Sequence, residues 1–400
     1  MTEMAGGFRG ITAALWPIRY KPLPDELLSS WLVRLAHGHG LKVQTFCNLI
    51  FGNRHQVWNR DVDRLAPPWL VDTLALYTGT PLNVAYGTTL KVFNGVLFRN
   101  PRPSGHLNWV QSLKIYHRVR EGFGQQYCPA CLASDEVPYF RKVWRLSLST
   151  VCLRHHCMLR DRCHVCGVAV SFFRMDFGTA AEHSVDAATS VARCHDCKSD
   201  LGSAPTIAPL IVESGAYGKL IDLNLSAQGL GGERPDPAIS DELDVLRHLC
   251  ALMLSKKSSV KLRAHLLDTF CLDDPVSPSE QRIPMESLPT SIRHILLQCG
   301  AWLLNDLAVR LSAAVKSGNL RYSHLLGDFD EAPAWYRDSV ATAVPHRKMP
   351  AHAGCAHQRF AGAHRGAEAI RPCGRLVQST AGGSTPPGGI AKLDVPRPSS

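Results

Sequence analysis

Four cysteine/histidine doublets, all between residues 128 and 197 of this 400-residue chain, are its clearest chemical feature. They are Cys128-Pro-Ala-Cys131, Cys152-Leu-Arg-His155, Cys163-His-Val-Cys166 and Cys194-His-Asp-Cys197. Each sets two soft donors three residues apart, the spacing at which a tight knuckle aims both at one ion. Twenty residues separate the first doublet from the second, and twenty-seven the third from the fourth. Both gaps are long enough for a hairpin or short helix before the chain returns. Sequential pairing gives site one as Cys128, Cys131, Cys152 and His155, and site two as Cys163, Cys166, Cys194 and Cys197. Pairing the first doublet with the third is the alternative that the same spacing leaves open. Thiolate and imidazole donors in a tetrahedron favour zinc over hard cations, so two structural Zn2+ ions are the expected cofactors. Seven residues join the sites, which are expected to pack as a unit.

Closed four-ligand sites leave no position for an activated water, which excludes zinc hydrolase chemistry. A nucleobase deaminase needs His-x-Glu and Pro-Cys-x-x-Cys; here the proline follows Cys128, and no His-x-Glu occurs upstream. Phosphate-binding Gly-x4-Gly-Lys-Ser/Thr, Gly-x-Ser-x-Gly and His-Glu-x-x-His are also missing. No catalytic residues are expected, and the chain reads as a non-enzyme. His156, Cys157, His164 and His195 flank the ligands as spare donors. Because a closed site has no substitute ligand, Cys128→Ser is expected to release one ion.

Eight of the fourteen cysteines fall between 128 and 197, a clustering that favours metal over disulfides in a reducing compartment. With no signal peptide and no run of roughly 18 apolar residues, the sequence predicts a cytoplasmic protein without membrane spans. The net charge of +10 is uneven. Residues 1–126 carry 14 Lys/Arg against 7 Asp/Glu, and the 345–400 tail carries 8 against 2. A basic front is compatible with nucleic acid.

The elements that must position these residues read as mainly α, with small zinc-ribbon or zinc-knuckle β pieces. Four parts are expected: a helical, helix-turn-helix-like region over 1–126, a double zinc module over 127–205, a helical region over 206–344, and a disordered basic tail over 345–400. Pro24 and Asp25 open a first helix with Leu27, Leu28, Trp31, Leu32 and Leu35 as its stripe, while Glu26, Ser29, Ser30 and Arg34 take other faces. A second helix runs from Val43 to Phe51 and a third from Trp69 to Tyr77. After Thr78-Gly79-Thr80, Pro81 to Leu90 forms the second half of a helix-turn-helix outline. A small helical docking module fits that outline equally, because no cation precedes Lys91. Arg99, Arg102, Lys114, Arg118 and Arg120, interleaved with His106, Trp109, Tyr116 and His117, form a mixture suited to a phosphate backbone or to a solvated helix face. No DNA-contacting residue is assigned. Beyond a Gly229–Pro237 linker, Ser240 caps a helix from Asp241 to Leu254, another spans Val260 to Phe270, and a long one spans Thr290 to Lys316 before Gly318. Cys250, Cys271 and Cys299 fall in these apolar patterns as core residues.

The stretch from Pro22 to Ala36 (PLPDELLSSWLVRLA) resembles the opening motif of the TniQ family, the transposition proteins that include TnsD. Tyr127-Cys-Pro-Ala-Cys-Leu132, Tyr139-Phe-Arg-Lys-Val-Trp-Arg-Leu146, Cys152-Leu-Arg-His155 with Leu159, and Cys163-His-Val-Cys-Gly167 are similar to its zinc-binding core. The similarity covers roughly residues 17–201. It implies a bacterial, DNA-associated accessory protein that helps select a transposition target site. Such a protein recruits an AAA+ ATPase of the TnsC/TniB type, which engages a transposase complex. It docks on target DNA, a resolvase site or another targeting factor such as a CRISPR effector. In the family pattern Glu26 and Arg34 are structural. Leu153 replaces the usual proline, and His156 stands where a glycine is usual. A zinc-containing helix-turn-helix transcription regulator is the alternative reading.

Overall fold

A computed structural model describes residues 15–52, 57–113, 122–175, 190–229, 237–255, 259–277, 283–318, 320–327, 329 and 331–344. The tail over 345–400, the basic residues Lys114, Arg118 and Arg120 with Tyr116 and His117, and most of the Gly229–Pro237 linker lie outside them. The fold is mainly α: among the described residues, strand pairing is one two-residue hairpin and isolated bridges.

Helix α1 spans Leu28–Gly38. It starts three residues after the expected Pro24-Asp25 opening, because Asp25 takes a left-handed φ of 57° and Glu26 bridges to Arg141. The five stripe residues are fully buried, but so are Glu26, Ser29, Ser30 and Arg34, which the sequence had assigned to other faces. The helix is buried all round because every polar group on it has a partner. Arg34 clamps the Glu26 carboxylate with Nε and Nη2, each at 2.7 Å, and Ser30 Oγ donates to Glu26 at 3.0 Å. The Ser29 amide and hydroxyl donate to Asp63 at 2.7 and 2.8 Å. Arg145, itself fully buried, binds both Asp63 and Asp61.

α2 runs Val43–Phe51, as expected; α3 is the single turn Val62–Leu65; α4 runs Pro68–Thr78. Gly79 ends α4 in the left-handed conformation (φ 62°), where a side chain would be strained. Lys21 Nζ caps the carbonyls of Thr78 and Gly79 at the end of this helix, each at 2.6 Å. α5 spans only Leu82–Tyr86 instead of Pro81 to Leu90. Thr88 and Thr89 turn their hydroxyls onto the carbonyls of Ala85 and Tyr86, satisfying them outside a helix. The helix–turn–helix outline is therefore present with a second helix of little more than one turn.

In the C-terminal half, α7 (Ser214–Ala227) is a helix the sequence pattern did not single out; Glu213 caps it by accepting from the amides of Gly215 and Ala216. α8 covers Pro237–Leu254, so Ser240 lies inside it and is not its cap. α9 is Ser259–Phe270. The expected 290–316 helix is two helices, α10 (Thr290–Asn305) and α11 (Leu307–Gly318), broken at Asp306 with φ −154° and ψ 70°. Asn and Asp compete with helical bonding through their short polar side chains, which favours a break there. Short helices α12 (Tyr322–Leu326) and α13 (Ala334–Ala343) close this half. Cys250 and Cys299 are core residues, whereas Cys271 is exposed: it sits one residue past α9 at φ 53° and turns to solvent.

Buried hydrogen bonds cross the boundaries expected near 126 and 205. Gln126 Oε1 accepts from Thr290 Oγ1 and from Arg293 Nη2, each at 2.8 Å, and the Thr290 amide donates to Asp161 at 3.0 Å. Asn224 joins α7 to Ser149 and Leu148. His294 Nε2 donates to the Leu210 carbonyl at 3.0 Å, which leaves Nδ1 to accept from Thr150 Oγ1 at 2.9 Å, a neutral tautomer.

Arg34→Met keeps the volume but strands the Glu26 carboxylate, which is 1% exposed; urea denaturation should register a loss of about 3–5 kcal/mol. Arg99→Ala, removing a half-exposed partner of Asp241, should cost under about 1 kcal/mol. Burial pulls the His294 imidazole down to about 4, with the Leu210 bond acting the other way. An unfolded histidine takes up its proton near pH 6.5 and this one does not, so its contribution is complete above that pH and is lost as pH falls toward 4. Between pH 7.5 and 5.5 the loss should be about 1 kcal/mol, and His294→Gln should abolish that increment in parallel denaturation curves.

Candidate metal centre

Site one is assembled from one helix start and one hairpin. Cys128 precedes α6 (Pro129–Ser134), with Pro129 at the first helical position. Its Sγ accepts from the Cys131 amide at 3.4 Å, which turns both thiols to one side. The other two donors come from β1 (Val151–Cys152), paired antiparallel with β2 (Cys157–Met158) in the register Val151↔Met158 and Cys152↔Cys157. His155 lies in the connecting turn, closed by the His156 amide on the Cys152 carbonyl at 2.8 Å. His155 Nδ1 stands 3.6 Å from Cys128 Sγ, 3.2 Å from Cys131 Sγ and 3.7 Å from Cys152 Sγ; Cys131 and Cys152 sulfurs are 3.7 Å apart. All four donor atoms lie within 4.8 Å of one another. A disulfide needs about 2.05 Å, so these are separate sulfurs around a common centre.

Site two is built from two matching turns. Cys163 donates its amide to the Val168 carbonyl and Cys194 to that of Ser199, both at 2.9 Å. Gly167 and Lys198, each directly after the second cysteine, take left-handed φ values of 75° and 61°. Bridges Arg162↔Ala169 and Arg193↔Asp200 close both turns in the same way. The sulfur pairs Cys163/Cys197 and Cys166/Cys194 are each 3.6 Å apart, and this set too lies within 4.8 Å. The doublets are thus grouped first with second and third with fourth, and each group could hold a metal ion.

Charge argues in the same direction. Hydrogen bonds from Cys128 and Cys131 hold the Cys152 thiol far below its ordinary range, while thiol sharing with Cys131 and Cys152 drives Cys128 far up. Cys152 is thereby favoured over Cys128 as the anion, and a cation among the four donors would favour ionising them all. In site two, burial acts against ionisation, yet the Ser199 hydroxyl and the amides of Cys166 and Val165 bring the Cys163 thiol down to about 6.

The two sites are tied together. Tyr127 and Arg160 exchange backbone bonds at 2.9 Å, the Tyr127 hydroxyl reaches the Arg162 carbonyl, and α6 packs on the turn Leu201–Ser203. Among the flanking donors, Cys157 is buried with its sulfur 3.6 Å from Cys128 Sγ, and His156 is exposed. One contributor went unassigned in the sequence: Arg141. Its guanidinium lies 4.2 Å from the Tyr139 ring centroid and 4.8 Å from that of Trp144, and it binds both Asp135 oxygens at 2.9 Å. Its cation faces Cys131 closely enough for the two to interact electrostatically. The aromatic residues on either side of Arg141 in the sequence were the available signal.

Of the basic and aromatic residues that the sequence leaves between a phosphate grip and a solvated helix face, the described ones are largely used internally. Arg99 pairs with Asp241 at 2.7 Å, His106 sits 3.4 Å from Glu286, and Trp109 is fully buried; Arg102 alone of this described group is exposed and outside any ion pair found here. The carboxylates of α8 and Glu286 claim these groups, which charge counting along a sequence does not reveal.

His156 turns the hairpin at φ 49°, a left-handed conformation that costs a side chain energy, which gives a physical reason for a glycine at this position. His156→Gly should stabilise the protein by about 0.5–1 kcal/mol, read as a higher urea midpoint at unchanged slope.

The TniQ family model matches residues 17–159. No curated protein matches the chain. The matched stretch begins just before the Lys21–Gly79 cap, includes α1 with its Glu26–Arg34 clamp, and ends at Leu159, directly after β2. It therefore contains all four donors of site one and none of site two. The match thus bears out the TniQ resemblance over residues 17–159, and a TniQ domain is one associated with transposition.

Proposed function

We propose that this protein is a non-catalytic adaptor of transposition target selection, joining target DNA or a separate targeting factor to an AAA+ ATPase of the TnsC/TniB type. The observation that carries the reading is a TniQ domain whose C-terminal end is a four-donor cage. In this reading residues 1–126 form a helical docking region, 127–205 the metal module and 206–344 a helical buttress. Cys128, Cys131, Cys152 and His155 hold one zinc ion, and Cys163, Cys166, Cys194 and Cys197 the other. The donor spacings support zinc: a tetrahedron with Zn–S of about 2.3 Å and Zn–N of about 2.05 Å has edges of about 3.8 Å between sulfurs and about 3.6 Å from sulfur to nitrogen. Four protein donors per ion leave no position for water, which supports a structural role. Bound ions add roughly 10–16 kcal/mol of apparent binding each, enough to hold the knuckles and hairpin as one block.

A DNA-reading regulator acting alone draws less support. Helix α5 spans five residues and carries no cation, and a recognition helix needs several side chains at base edges. No described helix is long and apolar enough to cross a membrane, which fits a DNA-associated, cytoplasmic setting.

The test mixes the purified metal-loaded chain with an AAA+ ATPase of the TnsC/TniB type, with and without ATP and DNA, and follows co-sedimentation. A nucleotide-dependent complex is the expected result. Absence of that complex, with the chain alone preferring one DNA sequence over random DNA by about 10³ or more, would overturn the adaptor reading.

A further inference from the structure

Site one is crowded by a fifth donor. Cys157 is 4% exposed, and its sulfur stands 3.6 Å from that of Cys128. That is the separation found between cage sulfurs in site two, 3.6 Å for Cys163/Cys197 and for Cys166/Cys194. The hairpin register produces this placement. Cys152 and Cys157 are directly paired across β1 and β2, and directly opposed residues of an antiparallel pair project from the same face. The strand pairing that delivers Cys152 to the cage therefore delivers Cys157 beside it, against Cys128. The set of four that share a common centre does not include Cys157. It flanks the edge of the cage that Cys128 occupies.

We propose that Cys157 is a reserve metal ligand that takes the coordination position of Cys128 when that thiolate is lost to substitution, alkylation or oxidation. The inference rests on the reading of site one as a zinc centre. A four-coordinate ion needs only four donors, and the fifth, Cys157, holds its sulfur 3.6 Å from that of Cys128. In the exchange Cys157 loses its thiol proton to solvent as its sulfur–metal bond forms. The cage keeps three thiolates and one imidazole and hence the same charge. The move is a local one, because the two sulfurs are already one tetrahedral edge apart. It also revises the expectation that Cys128→Ser empties the site. With Cys157 in reach, a substitute ligand exists for Cys128; Cys131 has no such neighbour, its close donors being His155 at 3.2 Å and Cys152 at 3.7 Å.

The experiment uses the full chain loaded with zinc, and separately with cobalt, in five forms: wild type, Cys128→Ser, Cys157→Ser, Cys128→Ser/Cys157→Ser and Cys131→Ser. Metal per chain is measured by elemental analysis, and sulfur-to-cobalt charge-transfer absorbance reports how many thiolates bind. Expected are two ions in wild type, Cys157→Ser and Cys128→Ser, with the absorbance of Cys128→Ser equal to wild type. The double variant and Cys131→Ser should fall to one ion. Helical circular dichroism and the ion kept by site two report whether each variant remains folded. Loss of one ion from a folded Cys128→Ser overturns the proposal, as does retention of two by the double variant or by Cys131→Ser. Wild type holding fewer than two ions would instead remove the zinc reading beneath it, so the two failures are distinguishable.

Discussion

Three thiols and an imidazole held within 4.8 Å of one another are the constraint around which the middle of this molecule is arranged. Ionising several sulfurs this close together is opposed by their mutual repulsion. The backbone nevertheless brings them together from a helix start and a hairpin twenty residues apart. Closing that loop costs chain entropy, and a two-residue strand pair cannot supply much in return. A divalent cation fits this arrangement because it converts mutual repulsion among sulfurs into four attractive bonds. The Arg141 guanidinium, packed between Tyr139 and Trp144 beside Cys131, then offsets charge that the thiolates leave over.

A second layer of buried polar groups transmits that rigidity outward. Asp161 lies between the two cysteine clusters and accepts from the Thr290 amide at the start of α10. Arg293, one turn later, reaches back to Gln126, two residues ahead of the first ligand. Arg145 connects the ligand-bearing segment to Asp61 and Asp63, and Asp63 holds the start of α1 through Ser29. Such buried charges contribute little net stability compared with apolar packing. They do fix orientation, since each donor has few ways to be satisfied. The cages, α1 and α10 are thereby held in one arrangement.

Much of this was readable in the residues, for reasons that can be stated. The ligand doublets are local features, and three-residue spacing survives any tertiary context. Val43–Phe51 was legible because nothing long-range competes with its pattern. The misses share a cause in contacts distant along the chain or in competing side-chain bonds. Glu26, Ser30 and Arg34 could be placed on other faces of the helix, but their burial became visible only with their partners in place. α5 was cut short by threonine hydroxyls, and the 290–316 helix was interrupted at Asp306. α7 was hidden by Gly215 and Gly218, which dilute a helical pattern that burial of Leu220 and Leu223 restores. Arg99 and His106 looked available to phosphate, and carboxylates more than a hundred residues away claim them.

The two cages are not equivalent, and the difference bears on what each can meet. Site one lies inside the TniQ match, and Cys128, Cys131 and Cys152 are each no more than 6% exposed. Site two lies beyond the match and brings Cys166 to the surface. With a divalent ion, four thiolates leave site two at −2 and three leave site one at −1. A phosphate backbone is repelled by an exposed cage of that charge unless neighbouring cations outweigh it, and at physiological salt that repulsion is largely screened beyond about 8 Å. Arg162 is committed to Asp161, and Lys198 Nζ to the His195 and Met175 carbonyls. Lys198 thereby stays beside site two with its positive charge intact, where it would offset part of the charge that four thiolates leave over.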